Sequence, residues 1–169
     1  MESFTPTTKI YTPEQVLFYA NTFRVKGWSV GFTNGCFDIL HKGHISYLHQ
    51  ARSKCSMLIV GLNSDASVKS LNKGHNRPIN KQDDRAYVLA ALSAVTAVTI
   101  FEESTPLSLI EKIRPDFLFK GGDYDDSVTD KKNSKYIVGS DVVKSYGGKV
   151  ITIPFVEGFS TTAILEKSI

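Results

Sequence analysis

The stretch "WSVGFTNGCFDILHKGHISYLHQARSKCSMLIVGLN", Trp28 to Asn63, decides the fold class. Two short apolar runs, WSVGFTN and MLIVGLN, each end on a polar residue, and Ile45, Tyr47, Leu48 and Ala51 recur between them at helical spacing. That order is a β-α-β unit. The run MLIVGLN has no in-out polar alternation, so its strand needs cover on two faces, as in a parallel sheet joined by right-handed crossovers.

The alternation continues on either side. Upstream, "TPEQ" at Thr12 to Gln15 reads as a capping box with Pro13 at the first helical position, and Val16, Leu17, Tyr19, Ala20 and Phe23 carry the helix to a stop at Gly27. Downstream the pattern predicts a helix from Lys81 to Leu92 launched by Asn80, a strand AVTIF, a helix opened by Thr105-Pro106 and a strand DFLFK. A helix from Asp141 to Tyr146, a strand KVITIP and a short final helix after Ser160 follow. The fold class is α/β: a Rossmann-like three-layer α/β/α domain on a mostly parallel five-stranded sheet. Residues 1–27 are expected as a helical extension packed on a core formed by residues 28–169. The polar span Asp123 to Lys135 is expected as a mobile surface loop, of the kind that can serve as a lid.

With 169 residues, 41% of them apolar and 22% charged, the chain can bury one sizeable core and is too short for two ordinary domains. A net charge of +3 suits an anionic small molecule and falls short of the basic stripe of a nucleic-acid binder. Cys36 and Cys55 form no CxxC spacing, which speaks against a disulfide framework or a structural metal site. The N-terminus lacks a signal-peptide pattern and no run nears the ~18 apolar residues of a membrane span, so a cytoplasmic protein without a membrane partner is expected.

In an open parallel sheet, ligands sit beyond the carboxyl ends of the strands. "TNGCFDILHKGH", Thr33 to His44, lies at such an end. Gly35 can adopt backbone angles closed to other residues, and Gly43 lets a ligand approach a helix start whose free N–H groups favour an anion. His41 and His44, three residues apart, fall on one side of that helix start. They can serve a phosphate ligand, cap the backbone, or form half of a zinc site whose other ligands stand at no recognisable spacing.

"GCFDILHKGH" resembles the HxGH signature of the nucleotidylyltransferase superfamily. The likeness extends through "VGLNSDASVKSL", "RPIN", "DRAYVLAAL", "FLFKGGDY", "IVGSDVV", "YGGKV" and "VEGFSTTAI". Together these resemble the heptose 1-phosphate adenylyltransferases, the ADP-heptose synthases of bacterial envelope biosynthesis. The resemblance implies ATP and D-glycero-D-manno-heptose 1-phosphate as substrates, Mg²⁺ on the phosphates without a dedicated protein site, and a homodimer. It also implies a stand-alone form whose sugar kinase and phosphatase are separate proteins.

By the same resemblance, His41, His44 and Lys73 are the catalytic set, contacting the triphosphate and stabilising charge on the α-phosphoryl group. Nucleotide contacts fall to Thr33, Asn34, Gly35, Cys36 and Phe37, to Lys42 and Gly43, to Lys120, Gly121 and Asp123 of KGGDY, and to Glu157, Gly158, Ser160, Thr161 and Thr162 of the last motif. Asp38, Asn63, Asp65 and Arg77 fall to the acceptor, and Lys69 and Arg77 are further cations near Lys73. Each has a plainer reading: Cys36 as a small buried residue, Lys73 as a solvated lysine, KGGDY as a tight turn, and one hydroxyl of Ser160 to Thr162 as a helix cap.

Glycerol-phosphate cytidylyltransferases carry an arginine two residues before the Glu-Gly of the last motif, where this chain has Phe155. That favours adenylyl over cytidylyl transfer. A cytidylyltransferase for another small phosphate ester remains the alternative, followed by a non-catalytic nucleotide sensor on the same fold. A fragment of an aminoacyl-tRNA synthetase is disfavoured, because nothing resembles an anticodon-binding module.

Overall fold

The computed structural model describes residues 5–71 and 77–154, together with 156, 158, 159, 161 and 164. After a 3-10 turn at Pro6–Lys9 come β1 (Ile10–Tyr11), α1 (Pro13–Val25), β2 (Val30–Gly35), α2 (Lys42–Arg52), β3 (Met57–Asn63), α3 (Asp65–Ser70) and α4 (Gln82–Ala91). The second half adds β4 (Ala97–Phe101), α5 (Leu107–Ile113), β5 (Phe117–Gly121), α6 (Ser140–Ser145) and β6 (Lys149–Ile153).

All strand pairs are parallel, in the order β1-β4-β3-β2-β5-β6. Chain direction across the sheet therefore reverses at β2. From β2 the chain steps outward through β3 to β4, then returns to lay β5 against the other side of β2. The crevice beyond the carboxyl ends of β2 and β5 is the switch point where such sheets take ligands.

Each face of the sheet has its own core. Leu48 and Ala51 of α2 and Ala86, Leu89 and Ala90 of α4 pack with Leu58, Val60, Val98 and Phe119 on one side. Val16 and Ala20 of α1, Leu109, Ile110 and Ile113 of α5 and Val143 of α6 pack with Phe32, Ile59 and Leu118 on the other. Every residue of β3 is buried, which is why its run is apolar without alternation.

The three-layer α/β architecture agrees with expectation, and the sheet has six strands where five were expected. The additional strand, β1, pairs Ile10 with Val98 and Tyr11 with Thr99. At two residues it is too short to leave a periodic signature. Its position is fixed from outside the strand, since Lys9 Nζ donates to the carbonyls of Leu92 (3.2 Å) and Val95 (2.9 Å).

The capping box forms as read: Gln15 N–H donates to Thr12 Oγ1 (3.3 Å) and Thr12 N–H to Gln15 Oε1 (2.9 Å). Asn80 was expected to launch α4, but Lys81 is the N-cap, without a side-chain bond. The Asn80 amide is drawn away to donate to the carbonyl of Asp38 (2.6 Å). Residues 123–135 are a chain of exposed turns in which Asp125, Asp130 and Asn133 side chains each accept a backbone N–H two residues on. Thr161 and Ile164 are helical; the rest of the final helix lies outside the described residues. Among the described residues no helix is long and apolar enough to cross a membrane.

Leu48, fully buried, seats α2 on the sheet. Leu48→Ala is expected to lower unfolding free energy by ~2–5 kcal/mol. Urea denaturation checks this, and a loss under about 1 kcal/mol would mean that α2 is not anchored through this side chain.

Candidate active site

β2 delivers Thr33, Asn34 and Gly35 to the carboxyl edge of the sheet, and the chain then turns through Cys36–Leu40 into α2. Gly35 was expected to supply the unusual backbone angles. The positive φ falls instead on Phe37, at 44°. Gly35 serves close packing: a β-carbon there would lie 3.0 Å from the Phe37 ring.

His41 is the N-cap of α2, its Nδ1 accepting from Gly43 N–H at 3.1 Å. An imidazole nitrogen that accepts carries no proton, so the neutral ring holds its proton on Nε2, free to donate outward. The rings of His41 and His44 stack at 3.9 Å, and Phe37 lies 5.2 Å from His44. Capping and pairing thus occur together. Gly43 is required by this arrangement, since a β-carbon there would come within 2.9 Å of the His41 ring and 3.3 Å of Phe159 Cβ.

Burial first, and the neighbouring His41 second, push the His44 imidazole down to about 4; burial lowers His41 as well. Both rings are therefore neutral at pH 7. His44 Nδ1 is buried with no hydrogen-bond partner among the described residues. The helix start leaves its own N–H groups and positive dipole end on the same side.

The last motif reaches this point: Phe159 lies against Gly43, and the Lys42 ammonium sits 5.5 Å over the Phe159 ring. Gly158 (φ 80°) turns the chain there, and Thr161 follows. Glu157, Ser160 and Thr162, as well as Lys73 and Phe155, lie outside the described residues.

On the opposite face of the sheet, Lys120 is buried at the end of β5, donating to Asn34 Oδ1 (2.5 Å) under the ring of Tyr124 (5.2 Å). Gly121 ends β5, and Asp123 stands exposed beyond it. Thr33 Oγ1 and Tyr47 Oη share a 2.7 Å hydrogen bond, and burial raises the Tyr47 phenol.

Asp38 and Arg77 are joined to each other, as a 2.6 Å ion pair. The Asp38 carboxylate also accepts from Ile79 N–H (2.8 and 3.0 Å) and Asn80 N–H (2.9 Å). Asn63 Nδ2 donates to Ser67 Oγ (2.9 Å), and Asp65 pairs with Arg85 at 2.7 Å, while Lys69 stands exposed on α3. Arg85 and Tyr47 were not among the expected site residues. Arg85 had a signal: it shares the buried face of α4 with Leu89, an arginine in an apolar stripe.

The His44 shift has a consequence for stability. Below about pH 6.5 the unfolded chain protonates this imidazole while the folded chain refuses the proton until about pH 4. The contribution is whole above pH 6.5 and is lost as pH falls toward 4. Thermal melts of wild type and His44→Gln from pH 7 to 4 are expected to show a steeper decline for wild type; parallel curves would contradict a depressed value.

A model of the family described as cytidylyltransferase-like matches residues 32–167. The chain is 55% identical over 145 residues to the bifunctional protein HldE of Mesorhizobium japonicum, covering 86% of this chain and 27% of that protein. It is 50% identical over 159 residues to the bifunctional protein HldE of Caulobacter vibrioides, covering 94% and 31%. The chain thus spans less than a third of the length of these curated relatives. Among solved structures, the lipopolysaccharide core biosynthesis protein of Thermoplasma volcanium aligns with a TM-score of 0.58 at 23% identity, covering 77% of this chain and 98% of that one. Pantoate-beta-alanine ligase of Francisella tularensis, in complex with beta-gamma ATP and beta-alanine, aligns at 0.59 with 17% identity, covering 92% and 75%. These two share the fold. With the family model matched across both halves of the sheet, from β2 past β6, the chain belongs to the cytidylyltransferase-like family.

Proposed function

We propose that this chain transfers AMP from ATP to D-glycero-D-manno-heptose 1-phosphate, forming ADP-heptose and pyrophosphate for bacterial envelope polysaccharide. The observation that carries this reading is identity of 50–55% over most of the chain to the bifunctional relatives. Its ordered motifs, which resemble heptose 1-phosphate adenylyltransferases, point the same way.

An oxygen of the sugar phosphate bonds to the α-phosphorus of ATP as the bond to the bridging oxygen breaks, and the electron pair leaves with pyrophosphate. The attacking phosphate is already ionised at neutral pH, so the work is positioning and charge stabilisation rather than proton abstraction. His41 donates from Nε2 and His44 from its free nitrogen to the phosphates over the start of α2. Lys73, Lys42 and the Ser160–Thr162 hydroxyls complete the triphosphate seat. Asn34, Lys120 and Asp123 act from the β5 side, and Asp38, Asn63, Asp65 and Arg77 support the acceptor.

Mg²⁺ would neutralise charge on the triphosphate. Among the described residues no three His, Cys, Asp or Glu gather as a metal site, and Asp38 is committed to Ile79, Asn80 and Arg77. Exposed Asp123 would be the carboxylate available to a hydrated ion brought in with the triphosphate. The reading includes a cytoplasmic homodimer with small-molecule partners and no nucleic-acid or membrane partner.

The family description, cytidylyltransferase-like, supports a second reading with CTP as donor. A coupled pyrophosphate assay with ATP or CTP, against both anomers of heptose 1-phosphate, separates the two. Release with ATP that depends on the sugar phosphate is expected, and a preference for CTP refutes adenylyl transfer. In the same assay His44→Ala is expected to lose ~10²–10³-fold in kcat while its circular dichroism spectrum at pH 7 stays that of the wild type.

A further inference from the structure

Arg85 is 2% exposed, and its guanidinium is spent on three separate stretches of backbone. Nε donates to the carbonyl of Asn80 (3.0 Å), and Nη1 donates to the carbonyls of Cys36 (2.6 Å) and Asn63 (2.9 Å). Nη2 donates to Asp65 Oδ1 (2.7 Å). An apolar side chain of similar volume commonly stabilises a fold as well as a buried ion pair does. A planar fork aimed at carbonyls adds something else, a fixed orientation of the peptides it holds.

The Cys36–Phe37 peptide is the one that matters. In a planar trans peptide the N–H points opposite to the C=O. With the Cys36 carbonyl drawn toward Arg85 on α4, the Phe37 N–H is turned away from α4. Phe37 itself is 7% exposed, with φ at 44° and its ring against Gly35 and near His44. Among the described residues its N–H has no acceptor. An N–H without a partner beside the start of α2 is suited to an anionic oxygen.

We propose that Arg85 is a positioning residue: by holding the Cys36 carbonyl it aims the Phe37 N–H at the α-phosphoryl oxygens of ATP, where charge builds during transfer. This rests on the adenylyl-transfer reading for its ligand. Lysine keeps the charge at position 85 but lacks the fork, so Arg85→Lys isolates orientation from electrostatics.

Two measurements test it. Cys36–Phe37 is the sole Cys-Phe pair in the sequence, since Cys55 precedes Ser56, so ¹³C-carbonyl cysteine with ¹⁵N-phenylalanine isolates this one amide. On adding ATP to the wild-type protein its proton signal is expected to move downfield. In steady-state pyrophosphate release, Arg85→Lys is expected to lose about 10²-fold or more in kcat with the KM for ATP within about threefold. A purely structural arginine would lower the melting temperature and leave the kcat of the folded protein intact. An amide signal unmoved by saturating ATP overturns the proposal, as does an Arg85→Lys enzyme with kcat within twofold of wild type. Should Arg85→Lys not fold, the same pair of measurements is made on Asp65→Asn, which loosens the Arg85 fork, and an amide shift and kcat equal to those of the wild type overturn the proposal. A moving amide without sugar-dependent turnover upholds the positioning and sinks the adenylyl-transfer reading; turnover with an unmoved amide does the reverse.

Discussion

Two opposite charges, buried at one joint, hold the ligand end of the sheet in shape. Arg85 gathers carbonyls from the ends of β2 and β3 and from the approach to α4, while Asp38 gathers the N–H groups of Ile79 and Asn80. Removing either charge from water is costly unless its hydrogen-bonding capacity is met. Here backbone groups around the site meet it, the Cys36 carbonyl among them, together with Asp65 beside Arg85 and Arg77 beside Asp38. The loop's conformation and the solvation of the two charges are therefore one problem with one solution, which explains how an L-residue such as Phe37 is kept at a positive φ.

Built on that joint, the histidine pair is electrostatically unsettled. Two stacked imidazoles, low dielectric around His44 and the positive end of α2 all oppose protonation. A negatively charged guest reverses that balance. The histidine pair thus presents neutral donors, and its response to charge is set by the guest.

The fold was legible where many residues repeat one constraint. β3 runs apolar up to its closing Asn63 because it is buried throughout, and the Thr12–Gln15 box sets the start of α1 with its own side chains. The site loop was legible as a location, from its glycines and histidines at a strand end. What could not be read were the arrangements in which one residue answers to a distant one. β1 exists because β4 offers it partners; Asn80 abandons its capping role for a carbonyl of Asp38; Gly35 makes room for a ring while Phe37 takes the strained angle. Arg85 was the intermediate case, marked by its place in an apolar stripe but with targets that only the tertiary structure supplies.

The brevity of β1 matters for the solution behaviour of the protein. A long, flat border strand would offer a row of unsatisfied amides to any other extended chain, which invites aggregation. Here that border is two residues long and latched by Lys9, and the strand at the far side begins on exposed Lys149. The sheet is closed to further strands at one margin by shortness and guarded at the other by charge, so that it can stay open at its carboxyl end for chemistry without growing sideways.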